Sequence, residues 1–186
     1  SSDVCSSDLF WIKTTGELWS VGYNGQGQLG LGNTTHISSA VQVGSLTNWS
    51  KIFAGYAAVM AIKNDGTLWA WGRNTYGELG LNDTTNRSSP VQVGTDTDWV
   101  KISISQSHAL GLKSNGQVYA WGYNFYGQLG LNDTTHRSSP TIVPGVKITS
   151  YRKDISTAAY QSYVIDRKST RLNSSHIPLS RMPSSA

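Results

Sequence analysis

Three stretches of this chain are copies of one another: "VGYNGQGQLGLGNTTHISSAVQVG" from Val21, "WGRNTYGELGLNDTTNRSSPVQVG" from Trp71 and "WGYNFYGQLGLNDTTHRSSPTIVPG" from Trp121. They align without gaps up to their ends. Gly22, Gly72 and Gly122 lie 50 residues apart, as do Gly27, Gly77 and Gly127, and Gly30, Gly80 and Gly130. The other half of the period recurs too, "WSKIFAGYAAVMAIKNDGTLWAWG" from Trp49 matching "WVKISISQSHALGLKSNGQVYAWG" from Trp99. "FWIKTTGELWSVG" matches only the end of that unit. "DISTAAYQSYVI" matches only its start, after a short insertion around Ser150 to Lys153. About three repeat equivalents are present, entered and left in mid-repeat. A unit of this size cannot bury both faces of a sheet alone, so the copies must stack on one another.

Within a unit the periods are those of strands. Trp69 and Trp71 alternate with Leu68 and Ala70. "KTTGE", "KNDGT" and "KSNGQ" each end in a glycine where a tight turn needs positive φ, and they join two short runs as hairpins. "SSPVQVG" adds a last strand, whose proline suits a sheet edge. No segment holds a 3.6-residue period over a helical length. The expected fold is all-β: a partial β-propeller of about three blades, each a four-stranded antiparallel sheet, with disordered termini. A linear β-solenoid is the alternative, though its repeats are usually shorter.

The two ends stand apart. Written as codons, Asp166 to His176 spell a common short-read sequencing adapter, and Ser180 to Ala186 its downstream end. "SSDVCSSDL" spells the opposite strand. Residues 1–9 and 166–186 are therefore expected to be unstructured adapter translation, with residues 10–165 forming the repeats. Cys5, the single cysteine, goes with them, so no disulfide or redox inference survives. The net charge of +4 shrinks to +3, thinly spread, and no basic stripe remains to suggest a nucleic-acid partner. No apolar run approaches the ~20 residues of a membrane helix.

The repeats resemble the regulator of chromosome condensation repeat family. The resemblance rests on the "WGxNxxGQLG" core at Trp121 to Gly130 and the "RSSPVQV" run at Arg87 to Val93. Ser105 to Leu110 and the turn at Lys63 to Gly66 add to it. It covers essentially all of residues 10–165, and the Asn- and Thr-rich copies are similar to its bacterial or phage branch. It implies a propeller, usually of seven blades, so that further blades would lie outside this stretch. The family's best-known activity is nucleotide exchange on the Ran GTPase. No stretch here matches an exchange wedge or a chromatin-binding arm, so no residue carries that activity over.

The glycine-rich loop is not a phosphate cradle: a leucine follows the last glycine, where such loops place Lys and a hydroxyl before a helix. Gly22, Gly27, Gly30, Gly72, Gly77, Gly80, Gly122, Gly127 and Gly130 are expected to be scaffold. Trp69, Trp71 and Trp121 are expected to pack between blades. Arg73, Thr75, Glu78 and Asn86 change between copies, which suggests surface. Tyr23, Arg73 and Tyr123 share one loop slot. Gly25, Thr75 and Phe125 share the next, beside Gln26, Tyr76 and Tyr126. Tyr, Phe and Arg are enriched in binding hot spots, making Tyr23, Arg73, Tyr76, Tyr123, Phe125 and Tyr126 the candidate partner contacts. His36 and His136 align with Asn86 and lack metal-ligand spacing. Asp83 and Asp133 are expected to cap turns.

No catalytic constellation stands out, and no metal or cofactor is expected. The leading expectation is a non-enzymatic scaffold that binds another protein through propeller loops, in an extracellular or cell-surface setting. The alternatives are a guanine-nucleotide exchange factor and a carbohydrate-binding or cell-surface module.

Overall fold

The structure, a computed structural model, describes residues 8–149, 152–158, 161–167 and 177–178. The other residues of 1–9 and 166–186, read above as adapter, lie outside the described residues, as do Cys5 and the first half of the insertion around residue 150. Every regular element described is a strand. Two complete blades stand at the centre. One meanders through β4 (Trp49–Ala54), β5 (Ala58–Lys63), β6 (Leu68–Gly72) and β7 (Arg87–Gln92). The next runs through β8 (Trp99–Ile104), β9 (His108–Lys113), β10 (Gln117–Gly122) and β11 (Arg137–Lys147). A three-stranded sheet of β1 (Leu9–Ile12), β2 (Leu18–Gly22) and β3 (Ile37–Gln42) precedes them. Another, of β12 (Arg152–Ala158), β13 (Gln161–Arg167) and β14 (Ile177–Pro178), follows. This is an arc of a propeller, and all pairings are antiparallel.

Alternation along the second strand of each blade explains the stacking. All six residues of β5 are buried. Val59 and Ala61 pack toward the preceding sheet with Leu18, Trp49 and Trp71. Ala58, Met60 and Ile62 pack toward the following blade with Ile102, Ala109 and Trp121. Strand β9 repeats the pattern, Ala109 facing back and Leu110 and Leu112 facing forward to Ile155 and Val164. A strand read from both sides must be apolar at every position, which is why these runs show no polar alternation. The hydrophobic cores therefore lie between sheets, one at each joint. The turn glycines Gly16, Gly66 and Gly116 have φ of 86°, 80° and 86°, as the hairpins require. Pro90 and Pro140 sit in β7 and β11, each the last strand of its sheet, where no ladder hydrogen bond is lost.

Candidate functional site

The loops of residues 23–36, 73–86 and 123–136 link the last two strands of successive sheets. Each is built around one buried asparagine. The side-chain amide of Asn74 donates to the carbonyls of Asp83 at 3.0 Å and Thr85 at 3.2 Å, and its Oδ1 accepts from Leu79 N at 2.9 Å. Asn24 and Asn124 do the same in their loops. One side chain thus satisfies three backbone polar groups that strand pairing leaves over.

A second anchor is the column Gln28, Glu78 and Gln128. Their side-chain oxygens accept from the backbone N–H of Gln26, Tyr76 and Tyr126 at 2.9, 2.6 and 3.0 Å. Glu78 varies between copies, yet it is 0 % exposed, so variation here does not mark surface. Gln and Glu share shape and the accepting oxygen, and that is what the position requires. Burial raises the Glu78 carboxyl above the ordinary range, while Arg73 Nε lies 3.5 Å from its Oε1.

The third anchor crosses the joint. Trp71 Nε1 donates to Gln28 O at 2.8 Å, and Trp121 Nε1 to Glu78 O at 2.9 Å. Each tryptophan of one blade holds the preceding loop. Gly77 lets that loop close: a Cβ there would lie 2.5 Å from Ser138 Cα of the next blade.

These anchors point the remaining loop side chains outward. Tyr76 from one loop meets Tyr123 and His136 of the next, with ring centroids 4.8 and 5.5 Å apart. Tyr123 lies 4.8 Å from His136, 6.3 Å from Phe125 and 6.2 Å from Tyr126. Phe125 and Tyr126 touch edge to face at 5.1 Å and are 62 % and 59 % exposed. Four of the six candidate contacts thus form one aromatic patch across a blade joint. Tyr23 stands apart on the first loop, stacked on His36 at 4.3 Å. Arg73 is half-buried, its guanidinium 5.6 Å from the Tyr76 ring and its Nε bonded to Thr75 Oγ1 at 3.1 Å.

His136 is the member of the patch that sequence reasoning left out. Its Nδ1 accepts from Asn124 N at 3.0 Å, as His36 Nδ1 accepts from Asn24 N and Asn86 Oδ1 from Asn74 N. The column His, Asn, His is therefore one acceptor at one reach, a signal present in the alignment. In a neutral ring the accepting Nδ1 places the proton on Nε2. Asp83 and Asp133 cap the same loops through Thr85 N and Thr135 N. Those bonds, with Arg87 and Arg137, hold both carboxyls below the ordinary range.

Away from the loops, His108 is fully buried. Its Nδ1 lies 2.8 Å from Ser105 Oγ and its Nε2 2.9 Å from Ser162 Oγ. Burial pulls its pKa down to about 4, so the ring is neutral at physiological pH.

The chain matches the regulator of chromosome condensation (RCC1) repeat over residues 15–62, 65–112 and 115–162. No curated protein matches it. Among solved structures it is similar to Prp20p from Saccharomyces cerevisiae, with a TM-score of 0.75 at 19% identity over 86% of this chain and 41% of that one. It is similar to human WBSCR16, with a TM-score of 0.72 at 18% identity over 86% and 42%. It also resembles yeast RCC1 (Prp20) bound to Kap60, with a TM-score of 0.71 at 19% identity over 85% and 39%. The chain spans about two fifths of the length of each, and at these identities the likeness is one of fold.

Proposed function

With three consecutive repeats matched, the chain belongs to the regulator of chromosome condensation (RCC1) repeat family, and we propose that it is a non-enzymatic scaffold that holds a protein partner on its propeller loops. The observation that carries this reading is the patch of Tyr76, Tyr123, Phe125, Tyr126 and His136. These are large, stiff side chains on a backbone fixed by buried hydrogen bonds. Such residues bring apolar area to a partner at low entropic cost. A protein partner fits the company the fold keeps: yeast RCC1 was solved bound to Kap60, and the Prp20p structure was reported with its binding properties to Gsp1p and histones.

The test uses the chain as bait against the proteins of its source, beside a variant carrying Tyr76→Ala, Phe125→Ala and Tyr126→Ala. A hot spot contributes ~2 kcal/mol or more, so the variant should lose a captured partner by roughly 30-fold in affinity. Equal capture by both proteins would sink the reading. Accelerated release of fluorescent GDP from a small GTPase would replace it with nucleotide exchange. Selective signal on a glycan array would replace it with sugar binding.

A further inference from the structure

The first three sheets each carry one lysine of a 50-residue column, Lys13, Lys63 and Lys113. Each ammonium lies over the ring of the aromatic column, 3.9 Å from the centroid of Trp19, 3.5 Å from Trp69 and 5.0 Å from Tyr119. The three charges are balanced differently. Lys13 pairs with Glu17 at 3.2 Å. Lys113 pairs with Asp96 at 2.8 Å and Asp98 at 3.0 Å. The positions that correspond to Asp96 and Asp98 in the preceding repeat are Leu46 and Asn48. Among the described residues no carboxylate lies within ion-pair distance of Lys63, although it is only 6 % exposed. Asp65 acts on it at longer range, and that carboxylate is held by Thr67 N at 3.0 Å and Thr67 Oγ1 at 2.7 Å. Burial accordingly weakens the hold of Lys63 on its proton. Lys113 loses hydration too, yet its hydrogen bonds with Asp96 and Asp98 keep it above the ordinary lysine range.

Two clefts lie between neighbouring sheets, each walled by the ring under one of these lysines, Trp69 for Lys63 and Tyr119 for Lys113. The one at Trp69 has a volume of about 450 Å³ and apolar walls that also include Leu31, Val41, Leu46 and Trp49. Its twin at Tyr119 has about 400 Å³, with Leu81, Val91, Trp99 and Asp96 also in its walls. These are volumes in the range of small-molecule sites. Asp96 both lines the second cleft and touches the lysine ammonium, so a carboxylate at that point of the wall reaches the cation. In the first cleft that point is held by Leu46, which is 43 % exposed.

We propose that the cleft between the first sheet and the β4–β7 blade binds a small carboxylic acid with an apolar or aromatic body. Its carboxylate pairs with Lys63 as Asp96 pairs with Lys113, and its body lies against Trp69, Leu31 and Val41. A charge-assisted hydrogen bond made beside apolar walls is stronger than one in open water. The twin cleft is neutralised from within and rejects the same ligand by placing a second carboxylate against it. The site is separate from the aromatic loop patch and does not depend on it.

The experiment is calorimetric titration of the full chain with 3-phenylpropionate and with its neutral isostere 3-phenylpropanamide. The acid should bind one site at least roughly tenfold more tightly than the amide. Leu46→Asp, which rebuilds the Asp96 arrangement, should weaken the acid by a similar factor and leave the amide unchanged. Leu46→Ala should keep the preference for acid. The pair Asp96→Leu and Asp98→Asn should raise the stoichiometry to two. Equal affinity for acid and amide would overturn the proposal. So would undiminished binding by Leu46→Asp, or a Trp69 indole resonance that stays unmoved through millimolar acid.

Discussion

Among the described residues a proton on the His108 ring has no counter-charge to meet: Ser105 and Ser162 offer hydroxyls, and burial outweighs the Gln161 backbone, which favours the charged ring. Folding therefore favours the neutral ring and lowers its pKa from 6.5 to about 4. The sign follows. The unfolded chain takes up a proton as pH falls below 6.5, while the folded chain resists until about 4. Stability is fully present above 6.5, is lost progressively down to 4, and changes no further through this group below that. The depression corresponds to about 3 kcal/mol. Asp65, Asp83 and Asp133, all held below the ordinary carboxylate range, add their own losses only at more acid pH. Urea midpoints from pH 7.5 downward should thus fall between pH 6.5 and 5. His108→Gln, which copies the residue the next repeat carries at Gln161, should flatten that part of the curve. An unchanged slope would show that some other group titrates there.

At the scale of the loop, two glycines separate the reasons a repeat retains glycine. Gly77 has φ +80° and faces Ser138 Cα at 2.5 Å, whereas Gly94 has φ +60° with nothing within 4 Å of a Cβ. Both alanine variants meet the left-handed backbone cost of about 1–2 kcal/mol. Gly77→Ala must also push two blades apart, an overpacking cost of about 1–3 kcal/mol more. Urea denaturation should therefore rank Gly77→Ala clearly below Gly94→Ala; equal losses would mean the loop is not closed on the next blade. The glycine columns, the hairpin turns, the aspartate caps and the edge prolines were legible in the sequence, because a repeat shows which positions have a special backbone. Surface variation was not legible in the same way. Glu78 changes between copies and is buried, since Gln and Glu do the same work there. Arg73 is half-buried against it. The aromatic patch could be named by residue but not as one surface, because Tyr76 meets Tyr123 only across a joint. The clefts, which need two sheets to enclose them, left no local signal at all.

Stacked sheets whose cores lie at the joints behave as a row of coupled units, each stabilised by its neighbours. One hydrogen bond recurs in two of these units and isolates that coupling. Val43 N donates to Leu18 O, and Val93 N to Leu68 O, both at 2.8 Å, and both valines are 2 % exposed. The local bond, the residue type and the burial are the same. The surroundings are not: the sheet of Val43 meets one other described sheet, that of β4–β7, whereas the β4–β7 blade is packed on both faces. Opening the first sheet breaks one joint; opening the blade breaks two. Amide exchange reports the free energy of the smallest opening that frees the bond. Val93 should consequently exchange at least roughly tenfold more slowly than Val43, a difference of about 1.4 kcal/mol. Met60 and Leu110, in strands buried on both faces, should fall with Val93 in the slow class. The measurement is native-state exchange on the whole chain with denaturant added in steps. If the two valines merge at every denaturant concentration, the sheets open together and the joints are not independent. If Val43 opens first and alone, each joint carries its own share of the stability, and the loop patch of Tyr76 and Tyr123 is as firm as the joint beneath it.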